Sequence, residues 1–244
     1  MRLIEAVTDP VLSLLYPQQC RVCGGPVNHR ADGVSCAECW AATRIFDDSE
    51  MRCHKCGSWF GPEKGPVPVS CHKCDDHHYD RAFAIGVYEK GLAASILELK
   101  KDSSIPARLS GLIESTAHSL PDADVIIAAP LSKERRLERG FNQAELIAEV
   151  VSRGTGTAVD SHSLERHLPT HIHRVGMDDK ARELSVRNVF SVKRPKLVNG
   201  KRVLFVDDVF TSGATASQCA KVLKKNGASE VNVFTLARAV MRQF

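Results

Sequence analysis

The sequence predicts an α/β protein in two parts: a pair of zinc ribbons over residues 1–80, then a mostly parallel sheet flanked by helices over residues 81–244. Three observations predict it. Four CxxC pairs crowd into the first third of the chain. From Arg81 onward, strand-length apolar runs alternate with helix-period patterns. The balance of charge also changes sign at the same place: residues 1–80 hold 8 Lys/Arg against 11 Asp/Glu, and residues 81–244 hold 25 against 18. At 244 residues, 43% hydrophobic and 25% charged, the chain carries enough apolar material for a core. That composition excludes a disordered chain, a collagen-like fibre or a coiled-coil rod. No apolar run approaches the roughly 20 residues that span a bilayer, so no membrane span is expected. Glu5, Asp9 and Pro10 interrupt the only candidate for a secretory segment, and the expected location is the cytoplasm.

The cysteines come first in the chain. CRVC, CAEC, CHKC and CHKC are separated by twelve, thirteen and fourteen residues, and only Cys219 lies elsewhere. Each CxxC presents two thiolates from a tight knuckle, and two knuckles joined by a short hairpin supply the four ligands of tetrahedral Zn²⁺. Eight thiolates make two structural sites. The simplest pairing is Cys20/Cys23/Cys36/Cys39 and Cys53/Cys56/Cys71/Cys74, with an interleaved pairing left open. A disulfide framework would need an oxidising compartment, and a redox function uses one CxxC rather than four. Ribbon spacing favours zinc over an iron–sulfur cluster. His54, His72, His77 and His78 read as loop residues beside complete ligand sets. A four-thiolate site has no open position, so this part is expected to stabilise or bind rather than catalyse.

The second part follows in order. Arg81–Tyr88 reads as a strand and GLAASILELKK as a helix; Ala123–Pro130 is a continuous apolar run closed by proline, as a buried parallel strand should be. Phe141–Gly154 is helical and expected to stop at its glycine. Lys201–Asp208 is a second buried strand, TASQCAKVLKKNGA a helix with Cys219 in the core, and Ser229–Arg238 the closing strand. Alternation of this kind gives a parallel sheet that binds ligands beyond its C-terminal strand ends.

One window carries the chemistry. In VLFVDDVFTSGATA, residues 203–216, an apolar strand runs into Asp207 and Asp208, and Thr211, Ser212, Gly213, Ala214 and Thr215 then open a helix. Helix N-terminal N–H groups attract phosphate, a glycine admits close approach, and hydroxyls add donors. Carboxylates at a strand end accept hydrogen bonds from a diol. The set fits a ribose 5-phosphate. No GxxxxGK[ST] pattern is present, so a P-loop is not indicated.

VLFVDDVFTSGAT resembles the phosphoribosyl-pyrophosphate motif of type I phosphoribosyltransferases. Ala129–Ala148 (APLSKERRLERGFNQAELIA) is similar to the ComF-family signature, as are LLYPQQCRVCGG, the four CxxC pairs and Arg187–Val192. The resemblance covers nearly the whole chain. It implies a double zinc ribbon fused to a type I phosphoribosyltransferase-like parallel sheet flanked by helices, acting in natural competence and DNA uptake. It further implies that Asp207 and Asp208 hold the ribose hydroxyls or stabilise developing positive charge. Residues 211–215 would take the 5-phosphate, with Pro130, Leu131, Ser132 and Lys133 on the pyrophosphate and Mg²⁺ accompanying phosphoribosyl pyrophosphate.

Arg135, Arg136 and Arg139 are candidates to clamp a diphosphate or a DNA backbone; the competing reading is a charged helix face with internal Glu–Arg pairs. Leu164–Asn188 would form a hood over the site, with Arg182 and Arg187 as further anion contacts. The chain departs from the family there, with Thr170-His171-Ile172-His173-Arg174 where a T-x-x-Q-like segment is usual. Two functions compete: a nucleic-acid-handling module with single-stranded DNA and a DNA-uptake helicase as partners, and a phosphoribosyltransferase acting on a base or amine. Aromatic residues are only 6%, which argues against a broad stacking platform; Trp40, Trp59 and Phe60 are expected to pack beside the zinc sites.

Overall fold

The computed structural model describes residues 17–47, 49–61, 69–167 and 189–239. Arg182, Arg187, Asn188 and the 170–174 segment lie outside the described residues.

The described residues open with two short antiparallel hairpins. β1 (Gln18–Gln19) pairs with β2 (Pro26–Val27), α1 (Ala37–Ala41) follows, and β3 (Met51–Arg52) pairs with β4 (Trp59–Gly61). Elements this short cannot bury a core of their own size. The first ribbon keeps a small cluster of Cys20, Val27, Cys36 and Cys39. In the second, Cys53, Cys56 and Cys74 join the main core together with Tyr79, which is 1% exposed.

β5 (Arg81–Val87) starts the sheet; α2 (Lys90–Leu99) and α3 (Ala107–Ala117) lead to β6 (Val125–Ala128). Next come α4 (Lys133–Arg139), α5 (Gln143–Thr155) and β7 (Val159–Asp160). An antiparallel pair, β8 (Leu164–Arg166) and β9 (Phe190–Val192), precedes α6 (Pro195–Val198). β10 (Arg202–Phe210), α7 (Ala214–Lys225) and β11 (Glu230–Arg238) close the described chain. The sheet order is β5-β11-β10-β6-β7, parallel throughout, as the buried apolar runs predict. From β6 the chain moves outward to β7, whereas from β10 it moves the opposite way to β11. The topological switch therefore falls between β6 and β10, where an open parallel sheet leaves a crevice at its strand ends.

Two boundaries differ from the sequence expectation. α5 runs through Gly154 and stops at Gly156, whose φ is +73°. A Cβ on Gly154 would lie 3.3 Å from Ala117 Cβ, so close packing of α5 on α3 explains that glycine. β10 continues past Asp208 to Phe210 because β11 pairs with it as far as Arg238.

Candidate functional site

β6 and β10 stay in register up to Ala128 and Val206. The chain then turns away at Pro130, which lacks the N–H a further ladder bond would need. Asp207 and Asp208 project just beyond that point. Adjacent strand residues face opposite sides, and the two carboxylates differ accordingly. Asp208 Oδ2 meets Lys100 Nζ at 3.0 Å and accepts Gln143 Nε2 at 3.3 Å. Asp207 Oδ1 accepts the Asp208 N–H at 2.8 Å and has no cation paired with it among the described residues. Burial, then the neighbouring Asp208 charge, push the Asp207 carboxyl up to about 7.

Sequence reasoning missed Lys100 and left Gln143 without a task. Lys100 caps the C-terminus of α2, and nothing local connects it with a carboxylate more than a hundred residues away. Gln143 starts α5. Its Oε1 accepts Arg139 Nη1 at 2.9 Å while its amide serves Asp208. Asn142 sets this up: Oδ1 accepts the Ala144 N–H at 3.1 Å, capping α5, and Nδ2 donates to Ala129 O at 3.0 Å. The Gly-Phe-Asn-Gln run is thus a corner that ends α4 at Gly140, with φ +76°, and aims Gln143 at the acidic pair.

The loop after β10 brings Thr211, Ser212, Gly213, Ala214 and Thr215 to the start of α7, all exposed but Gly213. Gly213 occupies the N-cap at φ +79° with no side-chain cap. Ser212 Oγ accepts the Ala214 N–H at 3.3 Å, and the first-turn N–H groups of Thr215 and Ala216 have no intrahelical acceptor. A Cβ at Gly213 would lie 2.6 Å from Phe210 Cζ and 3.1 Å from His77 Cε1. Glycine is required by both conformation and space. His77 in turn meets the Tyr79 hydroxyl at 2.5 Å, and the His78 N–H donates to Ser217 Oγ at 3.1 Å. The loop is therefore backed by the second ribbon.

On the facing side, Ser132 caps α4, its Oγ accepting the Arg135 N–H at 3.4 Å. None of the α4 residues is buried, and Arg136 pairs with Glu145 of α5 rather than within its own helix. A cavity of about 560 Å³ lies beside Pro130 and Leu131, with Lys133, Arg136, Arg166, Lys193 and Arg194 on its wall.

The eight cysteines fall into two clusters, Cys20/Cys23/Cys36/Cys39 and Cys53/Cys56/Cys71/Cys74, with ligand atoms all within 4.8 Å of one another in each. The sequential pairing holds and the interleaved one does not. Sγ–Sγ distances of 3.7 Å for Cys23–Cys36 and Cys56–Cys71 and 3.6 Å for Cys53–Cys74 are near the ~3.8 Å edge of a tetrahedral zinc–thiolate site. All are far longer than a disulfide bond. Backbone N–H groups already point at sulfur: Cys36 to Cys20 Sγ and Cys71 to Cys53 Sγ, both at 3.3 Å. The donor set fits Zn²⁺, held by four thiolates at each site. Cys219 is fully buried in α7, as expected. Trp40 is buried and its Nε1 donates to Asp32 O at 2.9 Å, but Trp59 and Phe60 are 41% and 36% exposed, contrary to expectation. A three-residue strand at the rim offers them no second layer to pack against.

Fold and cysteine geometry together define a double-zinc-ribbon protein with a parallel α/β domain. The family model described as "Double zinc ribbon domain" matches residues 11–77. DNA utilization protein YhgH of Shigella flexneri is 30% identical over 239 residues, covering 93% of this chain and all of the relative. Competence protein F of Haemophilus influenzae is 30% identical over 232 residues, covering 91% of this chain and 97% of the relative. Among solved structures, the glutamine phosphoribosylpyrophosphate amidotransferase from B. subtilis complexed with ADP and GMP is 23% identical with a TM-score of 0.41; the match covers 57% of this chain and 30% of that one. The chain belongs to the ComF family of competence and DNA utilization proteins.

Proposed function

We propose that residues 81–244 form a module that binds 5-phosphoribosyl pyrophosphate or ribose 5-phosphate, and that the protein uses it in DNA uptake or utilization, the role its relatives' names carry. The observation that supports this best is the juxtaposition at the β6/β10 switch. Asp207 and Asp208 stand there beside the uncapped N-terminus of the twelve-residue α7, with Thr211, Ser212 and Thr215 as hydroxyl donors. The carboxylates accept the ribose hydroxyls, the α7 turn takes the 5-phosphate, and the Pro130–Lys133 turn faces the pyrophosphate. Mg²⁺ bound with the ligand would neutralise phosphate charge, with Asp207 and Asp208 the oxygen donors suited to it. Residues 1–80 act as the zinc-stabilised partner module. Eight thiolate ligands favour the reducing cytoplasm, and among the described residues no helix is long and apolar enough to cross a membrane.

Calorimetry with phosphoribosyl pyrophosphate and Mg²⁺ tests the ligand. Asp207→Asn with Asp208→Asn should abolish binding, and unchanged affinity would remove the assignment. The DNA role places Lys133, Arg135, Arg136 and Arg139 on the strand's phosphates. Single-stranded oligonucleotide affinity should then fall steeply with salt, and each Arg→Ala should flatten the log–log slope by about 0.7. A slope near zero in the unaltered protein would sink this role. Transfer of the phosphoribosyl group to a nitrogen acceptor is a second reading, supported by the cavity beside Pro130. Screening bases and amines for pyrophosphate release tests it.

A further inference from the structure

Of the six guanidinium–ring contacts among the described residues, three fall in one region: Arg44 over Trp59 at 4.4 Å, Arg52 over Phe46 at 5.3 Å and Arg81 over Phe83 at 4.8 Å. Phe46, Arg52, Arg81 and Phe83 line a single cavity of about 650 Å³, bounded by the second ribbon, the first half of β5 and one side of α3. This volume lies within the range of small-ligand sites. Glu50 belongs to the same wall and is tied to Arg44 at 2.7 Å, which places the Arg44–Trp59 pair at the rim. Glu50 Oε2 and Arg81 Nε have no hydrogen-bond partner among the described residues. A junction that served packing alone would satisfy such atoms, because a buried polar atom left unpaired is destabilising.

We infer that this cavity holds a nucleotide unit. Its flat base stacks against the Arg52–Phe46 and Arg81–Phe83 pairs, and its phosphate faces the two guanidinium groups. A guanidinium on an aromatic ring offers a planar, cationic surface, which suits a ligand that is itself planar and anionic. The free acceptor on Glu50 and the free donor on Arg81 match the mixed donor and acceptor edge of a base. The site is separate from the crevice at Asp207: β5 is the far edge strand, with β11 between it and β10. A free mononucleotide and one unit of a single strand share this chemistry. The second source, though not the site itself, rests on the DNA role proposed above.

The full-length zinc-loaded protein is titrated with adenosine monophosphate and, separately, with a ten-residue oligothymidine. Trp59 fluorescence is the readout, because the other tryptophan, Trp40, is buried. Phe46→Leu and Arg81→Gln should each weaken nucleotide binding about tenfold, the loss of one stacked pair. Zinc content and phosphoribosyl pyrophosphate binding should stay unchanged in both. Arg81→Lys, which keeps charge but loses the planar fork, should lose several-fold and guards against a misfolded variant. Undiminished affinity in these variants overturns the site, as does failure of both ligands to bind. Oligothymidine binding that is weakened only by Arg135→Ala, Arg136→Ala or Arg139→Ala overturns the site and leaves the DNA role standing. Mononucleotide binding that depends on Phe46 and Arg81, without oligothymidine binding, supports the site and refutes that role.

Discussion

Asp207 and Asp208 are neighbours in sequence with different chemistry. Asp208 is paired with Lys100 and Gln143, whereas Asp207 has no such partner among the described residues and its carboxyl is raised to about 7 by burial and by its acidic neighbour. In the folded chain Asp207 therefore keeps a proton that the unfolded chain releases near pH 4. The stability this contributes is full below that value and is lost as pH rises through about 7. Asp207→Asn removes the penalty of burying the charge. The midpoint of thermal unfolding should rise by a few degrees at pH 8 and change much less at pH 5. The same substitution should abolish ribose-phosphate binding, and in the unaltered protein that affinity should fall as pH is lowered below about 7. Stability and binding would thus move in opposite directions at one residue, which calorimetry paired with thermal melts would read directly.

At the scale of elements, α4 and α5 divide the work between surface and core. α4 is short and basic with none of its residues buried, capped by Ser132 and ended by the left-handed Gly140. α5 is amphipathic, with Ile147, Ala148 and Val151 in the core. Gln143 joins the two, taking Arg139 on one end of its amide and Asp208 on the other. Gln143→Leu keeps the volume but strips Asp208 of a donor and Arg139 of an acceptor. Ribose-phosphate affinity should fall about tenfold, in line with the ~1–3 kcal/mol cost of an unsatisfied buried polar group. DNA affinity, carried by exposed α4 cations, should change little. Equal loss of both in isothermal titration would show that Gln143 merely supports the fold.

The whole molecule is sewn together unequally. Arg238, at the end of β11, donates to Cys56 O, lies 3.4 Å from Cys56 Sγ and covers the Phe210 ring at 4.5 Å. Lys55 Nζ donates to His77 O at 2.7 Å, and Asp80 takes Lys224 at 2.7 Å and the Val231 N–H at 2.8 Å. The second ribbon is therefore continuous with the wall behind Gly213. The first ribbon meets α2 and α3 instead, through Arg21–Glu98 at 2.9 Å and Arg108–Asp32 at 2.7 Å. Cys56→Ser with Cys74→Ser should cost most of the ribose-phosphate binding along with one zinc. Cys20→Ser with Cys23→Ser should cost one zinc and leave that binding within about twofold, the margin expected of distant sites. Metal analysis beside calorimetry on the two double variants separates them.

What was legible from sequence was local. A CxxC knuckle, an apolar run ended by Pro130, and Asp207-Asp208 followed by Thr211-Ser212-Gly213 each state their chemistry within a few residues, because ligand spacing, burial and turn conformation act at short range. Contacts between distant parts of the chain were not legible. Lys100 against Asp208, Arg238 against Cys56, and guanidinium-covered rings beside β5 depend on side chains brought together by sheet order and helix packing. No residue pattern announces them. Residue spacing and apolar patterning are enough to specify two metal-binding ribbons and a parallel sheet, and to point to the strand end where a ligand is expected. Which cysteines cluster together, which acid is paired and which ribbon backs the loop follow from the packed chain, because each depends on distances between residues far apart in sequence.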